Sequence, residues 1–141
     1  ELDTGAKMVH LARDTTSLIT SKSLSKAGGS SIYRSAIYIG PEAKGSKASV
    51  SCDGLMLDNK SRSDTIPAME IHTDECAVGH EAKIGRISGD AIFYLMSRGI
   101  SEEEARTMIV SGFANPVSKE LPLEYAVEMN NLIRLEMKGN M

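Results

Sequence analysis

Short runs of alternating apolar and polar residues fill the first part of the chain. The best formed is 31–39 (SIYRSAIYI), and Gly, Pro, Asp, Asn or Ser separate it from its neighbours. Because successive side chains of a strand point to opposite faces, this pattern predicts β-strands. The predicted strands are 7–13, 15–21, 31–39, 47–52 and 68–73. Their spacing fits a sandwich, a barrel or a β-helix, and the lack of an Asn-Gly hairpin signal favours stacked coils.

From Ser88 onward the apolar residues recur at helical spacing. Ser88 is a suitable N-cap for a helix through 91–96, and Gly99 supplies the left-handed residue that ends it. Ser101 and Glu104 then have the spacing of a capping box, in which each side chain accepts a hydrogen bond from the other residue's backbone N–H.

Two prolines divide the remaining helical segment. Asn115-Pro116 is predicted to end the second helix, because proline cannot donate the next backbone hydrogen bond. Pro122 suits the first turn of a third helix. The pattern therefore predicts β-strands followed by three helices.

Composition and charge exclude several classes of function. The net charge is −3 and the Lys and Arg residues are scattered, which argues against a nucleic-acid partner. No apolar stretch approaches the roughly 20 residues that span a bilayer, so membrane insertion is not expected. Two cysteines do not make a secreted disulfide framework, which favours free thiols in the cytoplasm. The chain begins with Glu1 and not with Met, so we expect further residues upstream.

An ordered set of segments gives the chain a resemblance to a known family. The segments are 51–57 (SCDGLML), 65–71 (TIPAMEI), 79–85 (GHEAKIG), 93–105 (FYLMSRGISEEEA), 112–114 (GFA) and 120–124 (ELPLE). Together they are similar to the C-terminal region shared by SufB and SufD, and the similarity covers nearly all of the chain from about residue 31. Each segment alone is weak, whereas the ordered set is specific.

The resemblance implies both a fold and a role. It implies that 1–87 are the C-terminal coils of a right-handed parallel β-helix and that 88–141 are a C-terminal helical domain. The implied role is a scaffold, not an enzyme, on which an iron–sulfur cluster is transiently assembled. The implied partners are a SufC-type ABC ATPase, which would hydrolyse ATP and contact the helical domain near 120–128, and a second chain. That second chain, a SufB/SufD paralogue or an identical copy, would pair through the β-helix edge.

Cys52 is the first candidate ligand. A thiolate is a natural ligand for iron and a natural acceptor of sulfur. Considered alone, a single Cys in a β-segment is more often a small buried hydrophobic residue. The similarity of 52–54 (CDG) to the SufB segment instead implies a cluster ligand at the interface between two chains.

His80 and Glu81 are the other candidate ligands. An imidazole and a carboxylate can both bind iron or transfer protons, and each could equally be a surface or turn residue. Neighbours in one strand point to opposite faces, so a single site would need a bend to use both. The resemblance implies a functional His here in SufD and a His-Glu pair in SufB. We therefore expect Cys52 of one protomer and His80 of another to bind the cluster, with Glu81 assisting.

His72, Cys76 and His80 are spaced so that an unbroken strand would place all three on one face. We expect a turn at Asp74-Glu75 to interrupt that strand. The spacing is not a standard zinc spacing either, and a fourth ligand is not nearby. No zinc site within the chain is predicted, and the role of Cys76 stays open.

Two other functions fit the sequence. One is a small β-solenoid or cupin-like interaction module that binds a single metal ion or only a protein, and a cupin-like site would gather its histidines within one barrel. The other is a structural subunit associated with an ABC ATPase that carries no cluster. Loss of the cluster on Cys52→Ala is expected only for the scaffold.

Overall fold

A computed structural model of the chain describes residues 1–138, with six strands followed by three helices. In chain order they are β1 (Leu2–His10), β2 (Thr16–Ser25), β3 (Ser30–Ile39), β4 (Lys47–Met56), β5 (Arg62–Ile71), β6 (Ala77–Arg86), α1 (Gly89–Ser97), α2 (Glu102–Glu120) and α3 (Leu123–Lys138). The chain divides into two compact units between Arg86 and Ile87. The predicted order, strands first and three helices afterwards, is confirmed.

Each sheet of the first unit is built from every second strand. One sheet has the order β1-β3-β5 and the other β2-β4-β6, and all four strand pairs are parallel. Paired residues lie 29 to 32 positions apart, as in Leu2 with Ser31 and Ser30 with Arg62. Consecutive strands therefore alternate between the sheets, so the chain needs no tight hairpin. The expected stack of parallel strands is confirmed to this extent.

Small and branched apolar side chains fill the space between the two sheets. They come from alternate positions of the central strands, as expected when one face of a strand is buried. The buried cluster consists of Ile19, Ile37, Ile39, Ala43, Ala48, Val50 and Cys52. Most of its members belong to β3 and β4, the middle strands of the two sheets, whereas β2 contributes only Ile19.

The strand prediction was wrong in the bounds of β1, β2 and β4, which span 2–10, 16–25 and 47–56, and it failed further at β5 and β6. It missed β6 altogether and began β5 at residue 68, whereas the strand begins at Arg62. Both strands are the last of their sheets, and most of their residues are exposed. Where both faces of a strand are largely exposed, folding does not require apolar and polar residues to alternate, so the sequence pattern of the strand is weak.

The predicted helix caps are confirmed. Ser88 Oγ accepts from the Ala91 N–H at 3.2 Å, and Gly99 has a φ of 87° just after α1. At the start of α2, Ser101 Oγ accepts from the Glu104 N–H, and the Glu104 carboxylate accepts from the Ser101 N–H. The capping box therefore satisfies two backbone donors that the helix leaves without partners.

The predicted end of α2 at Asn115-Pro116 was wrong, because the helix continues to Glu120 with Pro116 inside it. Proline removes one backbone hydrogen bond and crowds the preceding turn. Ala114 and Ser118 are nevertheless both buried, on either side of the proline and four residues apart. Burial of this continuous helix face outweighs the local cost of the proline.

Candidate functional site

Cys52 lies on the inner face of β4. Ala48, Val50 and Cys52 alternate as buried residues along this strand, and Cys52 is 4% exposed. In the sheet it stands between Ser21 of β2 and Ala82 of β6. Its thiol is free, as is that of Cys76.

His80 lies on β6, next to the strand that carries Cys52. It pairs with Val50, whereas Cys52 pairs with Ala82, so His80 and Cys52 are diagonal neighbours. Because Val50 and Cys52 both face inward, alternation directs His80 to the same inner face. Within the described part of the chain, the buried Nε2 atom of His80 has no hydrogen-bond partner.

Glu81 is on the opposite face of β6, as neighbouring strand positions require. It is exposed, and its carboxylate lies 2.7 Å from Lys83 Nζ, two residues further along the same face. The hydrogen bond and charge of Glu81 raise the pKa of Lys83. The structure therefore brings Cys52 and His80 to one face and leaves Glu81 outside it.

A neighbouring ion pair fixes the outer face of the strands at Cys52. Asp53 follows Cys52 and pairs in register with Lys22 of β2, and Lys22 Nζ lies 2.6 Å from Asp53 Oδ2. Both side chains are mostly buried. Such a pair has a defined geometry and holds β2 and β4 in register beside the thiol.

Two hydroxyl residues on the opposite wall were missed by the sequence reasoning. Tyr33 of β3 packs against the core cluster that contains Cys52. Burial raises the pKa of the Tyr33 hydroxyl, and the negative charge of Cys52 raises it further. Thr65 of β5 pairs with Tyr33, and its Oγ1 atom is buried without a partner among residues 1–138. Only the strand register could have revealed this pair.

The remaining histidines have separate surroundings. His10 is buried, and its two ring nitrogens lie 2.7 Å from Thr15 Oγ1 and Ser17 Oγ. His72 Nε2 lies 2.8 Å from Glu70 Oε1. Residues 72–76 form a break between β5 and β6, so the expected interruption near Asp74-Glu75 is confirmed.

Cys76 lies in the same break. Its thiol donates to the Thr73 carbonyl at 3.3 Å, and its side chain packs against the core cluster. Residues 1–138 contain no group of three or more His, Cys, Asp or Glu side chains that could hold a metal ion. A cupin-like arrangement, with histidines gathered in one barrel, is not what these two parallel sheets provide. None of the helices within residues 1–138 is long and apolar enough to cross a membrane.

The fold and the site together define the class of protein. It is a stack of parallel strands with a thiol and an imidazole on its inner face, followed by a separate helical unit. The model of the family described as SUF system FeS cluster assembly, SufBD core domain, matches residues 1–113, which is most of the chain. The chain therefore belongs to the SufBD family, as the resemblance indicated.

Curated relatives give the same family. Two proteins named iron-sulfur cluster assembly SufBD family protein, from Staphylococcus aureus strains USA300 and NCTC 8325 / PS 47, are each 56% identical to this chain over 138 residues. A Staphylococcus haemolyticus protein of that family (strain JCSC1435) is also 56% identical over 138 residues. The similarity covers 98% of this chain but only 30% of each relative.

Proposed function

We propose that this chain is part of a scaffold subunit of the SUF iron–sulfur cluster assembly complex. The observation that carries the proposal is the placement of Cys52 and His80 on the same inner face, in a chain of the SufBD family. The subunit holds a cluster while it is built and performs no catalysis itself. ATP hydrolysis belongs to a partner, and the two free thiols suit the reducing cytoplasm.

Cys52 and His80 have the chemistry that binding of iron requires. Thiolate and imidazole are both established ligand types for iron. A buried nitrogen without a partner, such as His80 Nε2, costs free energy in the empty protein, and a bond to iron would offset that cost. Glu81 lies outside the inner face and is paired with Lys83, so its assisting role requires a bend of β6 at this point.

The geometry supports ligands from one chain. The sequence favoured Cys52 of one protomer with His80 of another. Adjacent strands of one sheet already carry both side chains on one face, so we propose Cys52 and His80 of the same chain as the primary pair. A second chain then encloses the cluster and completes its coordination.

The last strands of both sheets support pairing with that second chain. Within the described residues, β5 and β6 each have a neighbour on one side only. An unpaired strand edge offers backbone donors and acceptors to another chain. Large apolar residues are exposed on these strands: Ile66, Met69, Ile71 and Ile84. We propose that a SufB/SufD paralogue or an identical copy pairs here, and that the strand stack is a right-handed parallel β-helix.

The helical unit supports association with a SufC-type ABC ATPase. None of the described residues of α3 is buried. Leu123 is 77% exposed, Tyr125 is 67% exposed, and Val127 is half-exposed. Exposed apolar patches of this kind mark surfaces that contact another protein. We propose the segment around 120–128 as the surface that contacts the ATPase.

Anaerobic reconstitution tests the scaffold function. The full-length protein, with its partner subunits, is incubated with ferrous iron and sulfide, and the charge-transfer absorption of the cluster is recorded. We expect Cys52→Ala to abolish that absorption and Cys76→Ala, the matched control, to retain it. Absorption unaffected by Cys52→Ala would contradict the ligand assignment, and no absorption in the wild-type complex would contradict the scaffold function.

Mixed dimers distinguish ligands from one chain and from two. A dimer is prepared in which one chain carries Cys52→Ala and the other His80→Ala. If both ligands come from one chain, each site lacks one ligand and the cluster is lost. If they come from different chains, one site keeps both ligands and about half of the cluster absorption returns. We expect the first result.

A further inference from the structure

Hydroxyl groups line the wall opposite Cys52. The inner faces of the two sheets meet at Ser23 and Ser63, whose hydroxyl oxygens are 2.9 Å apart. Gly54 of β4 faces the same point, since a Cβ on it would lie 2.6 Å from Ser63 Oγ. This contact fixes how β4 and β5 align across the interior.

The same alignment brings Thr65 level with Cys52. Ser23 of β2 faces Ser63 of β5, and Ser25, two residues later, donates to the carbonyl of Arg62, one residue earlier. β2 therefore runs opposite to β5 across the interior, and so does β4, its parallel neighbour. Two residues back from Gly54 is Cys52, and two residues on from Ser63 is Thr65. Tyr33, the register partner of Thr65, packs against the core cluster that includes Cys52.

Burial of the Thr65 hydroxyl is unfavourable for folding, and no group in the described part of the chain compensates for it. The Oγ1 atom of Thr65 is buried and has no hydrogen-bond partner in the described part of the chain. An unsatisfied buried hydroxyl destabilises a folded protein, and such groups are rare in native structures. A valine at this position would have the same shape without that cost.

We propose that Thr65 and Tyr33 are positioning residues that donate hydrogen bonds to the thiolate sulfur of Cys52, which forms when the thiol binds iron and releases its proton to solvent. This inference rests on the proposed scaffold function and names two residues that the ligand set does not include. The hydroxyl donors hold the sulfur at the centre of the interior and spread its negative charge. Hydrogen bonds with a charged partner are shorter and stronger than neutral ones, and those to cluster sulfurs tune its properties.

The proposal gives Thr65→Val two opposite effects. In the empty protein, valine removes an unsatisfied hydroxyl, so the melting temperature stays the same or rises. In the loaded protein, valine removes a donor to sulfur, so iron is lost faster. A structural hydroxyl would show the reverse in the first measurement, since its removal would lower the melting temperature.

The experiment uses the full-length protein with its partner subunits. The melting temperature is measured without iron, and loss of iron to a ferrous chelator is measured after anaerobic reconstitution with ferrous iron and sulfide. We expect Thr65→Val to lose iron about tenfold faster, the effect of one lost charge-assisted hydrogen bond. Tyr33→Phe should lose it several-fold faster, and Thr65→Ser, which keeps the hydroxyl, should resemble wild type.

Thr20→Val is the matched control. Thr20 is an exposed residue on the outer face of β2, so its substitution should leave the loss of iron unchanged. Wild-type retention of iron by Thr65→Val, or a lowered melting temperature of its empty form, would overturn the inference. A wild-type complex that forms no cluster would overturn the scaffold function instead, and the melting temperatures would still report on Thr65.

Discussion

Gly54 gives the sharpest test of how the two sheets pack. It occupies the inward position after Cys52 on β4. A Cβ there would lie 2.6 Å from Ser63 Oγ and 3.2 Å from both Ser63 Cβ and Ser23 Oγ. A Cβ atom does not approach a non-bonded oxygen to 2.6 Å, so Gly54→Ala must separate the sheets locally or turn the Ser63 hydroxyl away from Ser23.

The size of the effect follows from these distances. To reach ordinary contact at 3.4 Å, Ser63 Oγ must move by about 0.8 Å, which breaks its 2.9 Å hydrogen bond with Ser23. The lost bond costs about 1 kcal/mol, and overpacking of an interior costs about 1–3 kcal/mol. Alanine reduces the freedom of the unfolded chain, which returns about 0.4–1 kcal/mol. We expect a net destabilisation of about 1–3 kcal/mol.

Urea denaturation measures this change as a lower midpoint at an unchanged m-value. Gly79→Ala is the matched control, because Gly79 is also in a strand and a Cβ there would meet nothing within 4 Å. We expect that variant to be as stable as wild type or slightly more stable. Adding Ser63→Ala to Gly54→Ala should restore part of the stability, because only the 3.2 Å contacts then remain. A Gly54→Ala protein as stable as wild type would refute the facing arrangement of β4 and β5.

Three further predictions concern local structure. Ser101→Ala removes the capping box of α2 and should destabilise the protein by about 0.5–2 kcal/mol in thermal unfolding followed by circular dichroism, whereas an unchanged melting curve would contradict the role of the cap. Pro116→Ala restores a helical N–H and should stabilise α2 by about 1–3 kcal/mol, and a loss of stability would show that the proline is needed for packing. Hydrogen bonds from the Ser61 hydroxyl and from nearby backbone N–H groups lower the pKa of Asp58 from 3.8 to about 2. Its contribution to stability is therefore complete above pH 3.8 and lost as the pH falls through 2, so Asp58→Asn should flatten the acid dependence of the unfolding midpoint in that window.

The parts of the fold that were predictable from sequence depend on local signals. The helix starts are defined by contacts within four residues, made by Ser88, Ser101 and Glu104, so they can be recognised from the local sequence alone. The continuation of α2 past Pro116 was not readable, because it depends on what packs against Ala114 and Ser118. The pairing of strands about 30 residues apart was equally hidden, since no tight turn marks it.

The candidate site likewise has residues that could be predicted from the sequence and residues that could not. Cys52 and His80 could be singled out because their side chains suit iron and because the resemblance covers their segments. Thr65 could not, since threonine is common in strands and its importance lies in a missing hydrogen bond. Whether the Thr65 hydroxyl finds a hydrogen-bond partner depends on which residues face β5 across the interior. Sequence reasoning therefore singled out the two groups that we propose as ligands, whereas only the strand register shows which groups surround them.

Under the proposed function, the position of the site near the end of the stack would let one chain bury the Cys52 thiol and still expose its site to a partner chain. Cys52 lies one strand in from the edge and is almost fully enclosed by its neighbours. His80 lies on the last strand and is only partly covered, with its inner nitrogen still without a partner in the part of the chain that the structure describes. A chain that pairs with β5 and β6 would cover the histidine and close the interior over the sulfur. Under the proposed function, partner binding and enclosure of the cluster are then the same event, so variants that weaken pairing should also speed the loss of iron.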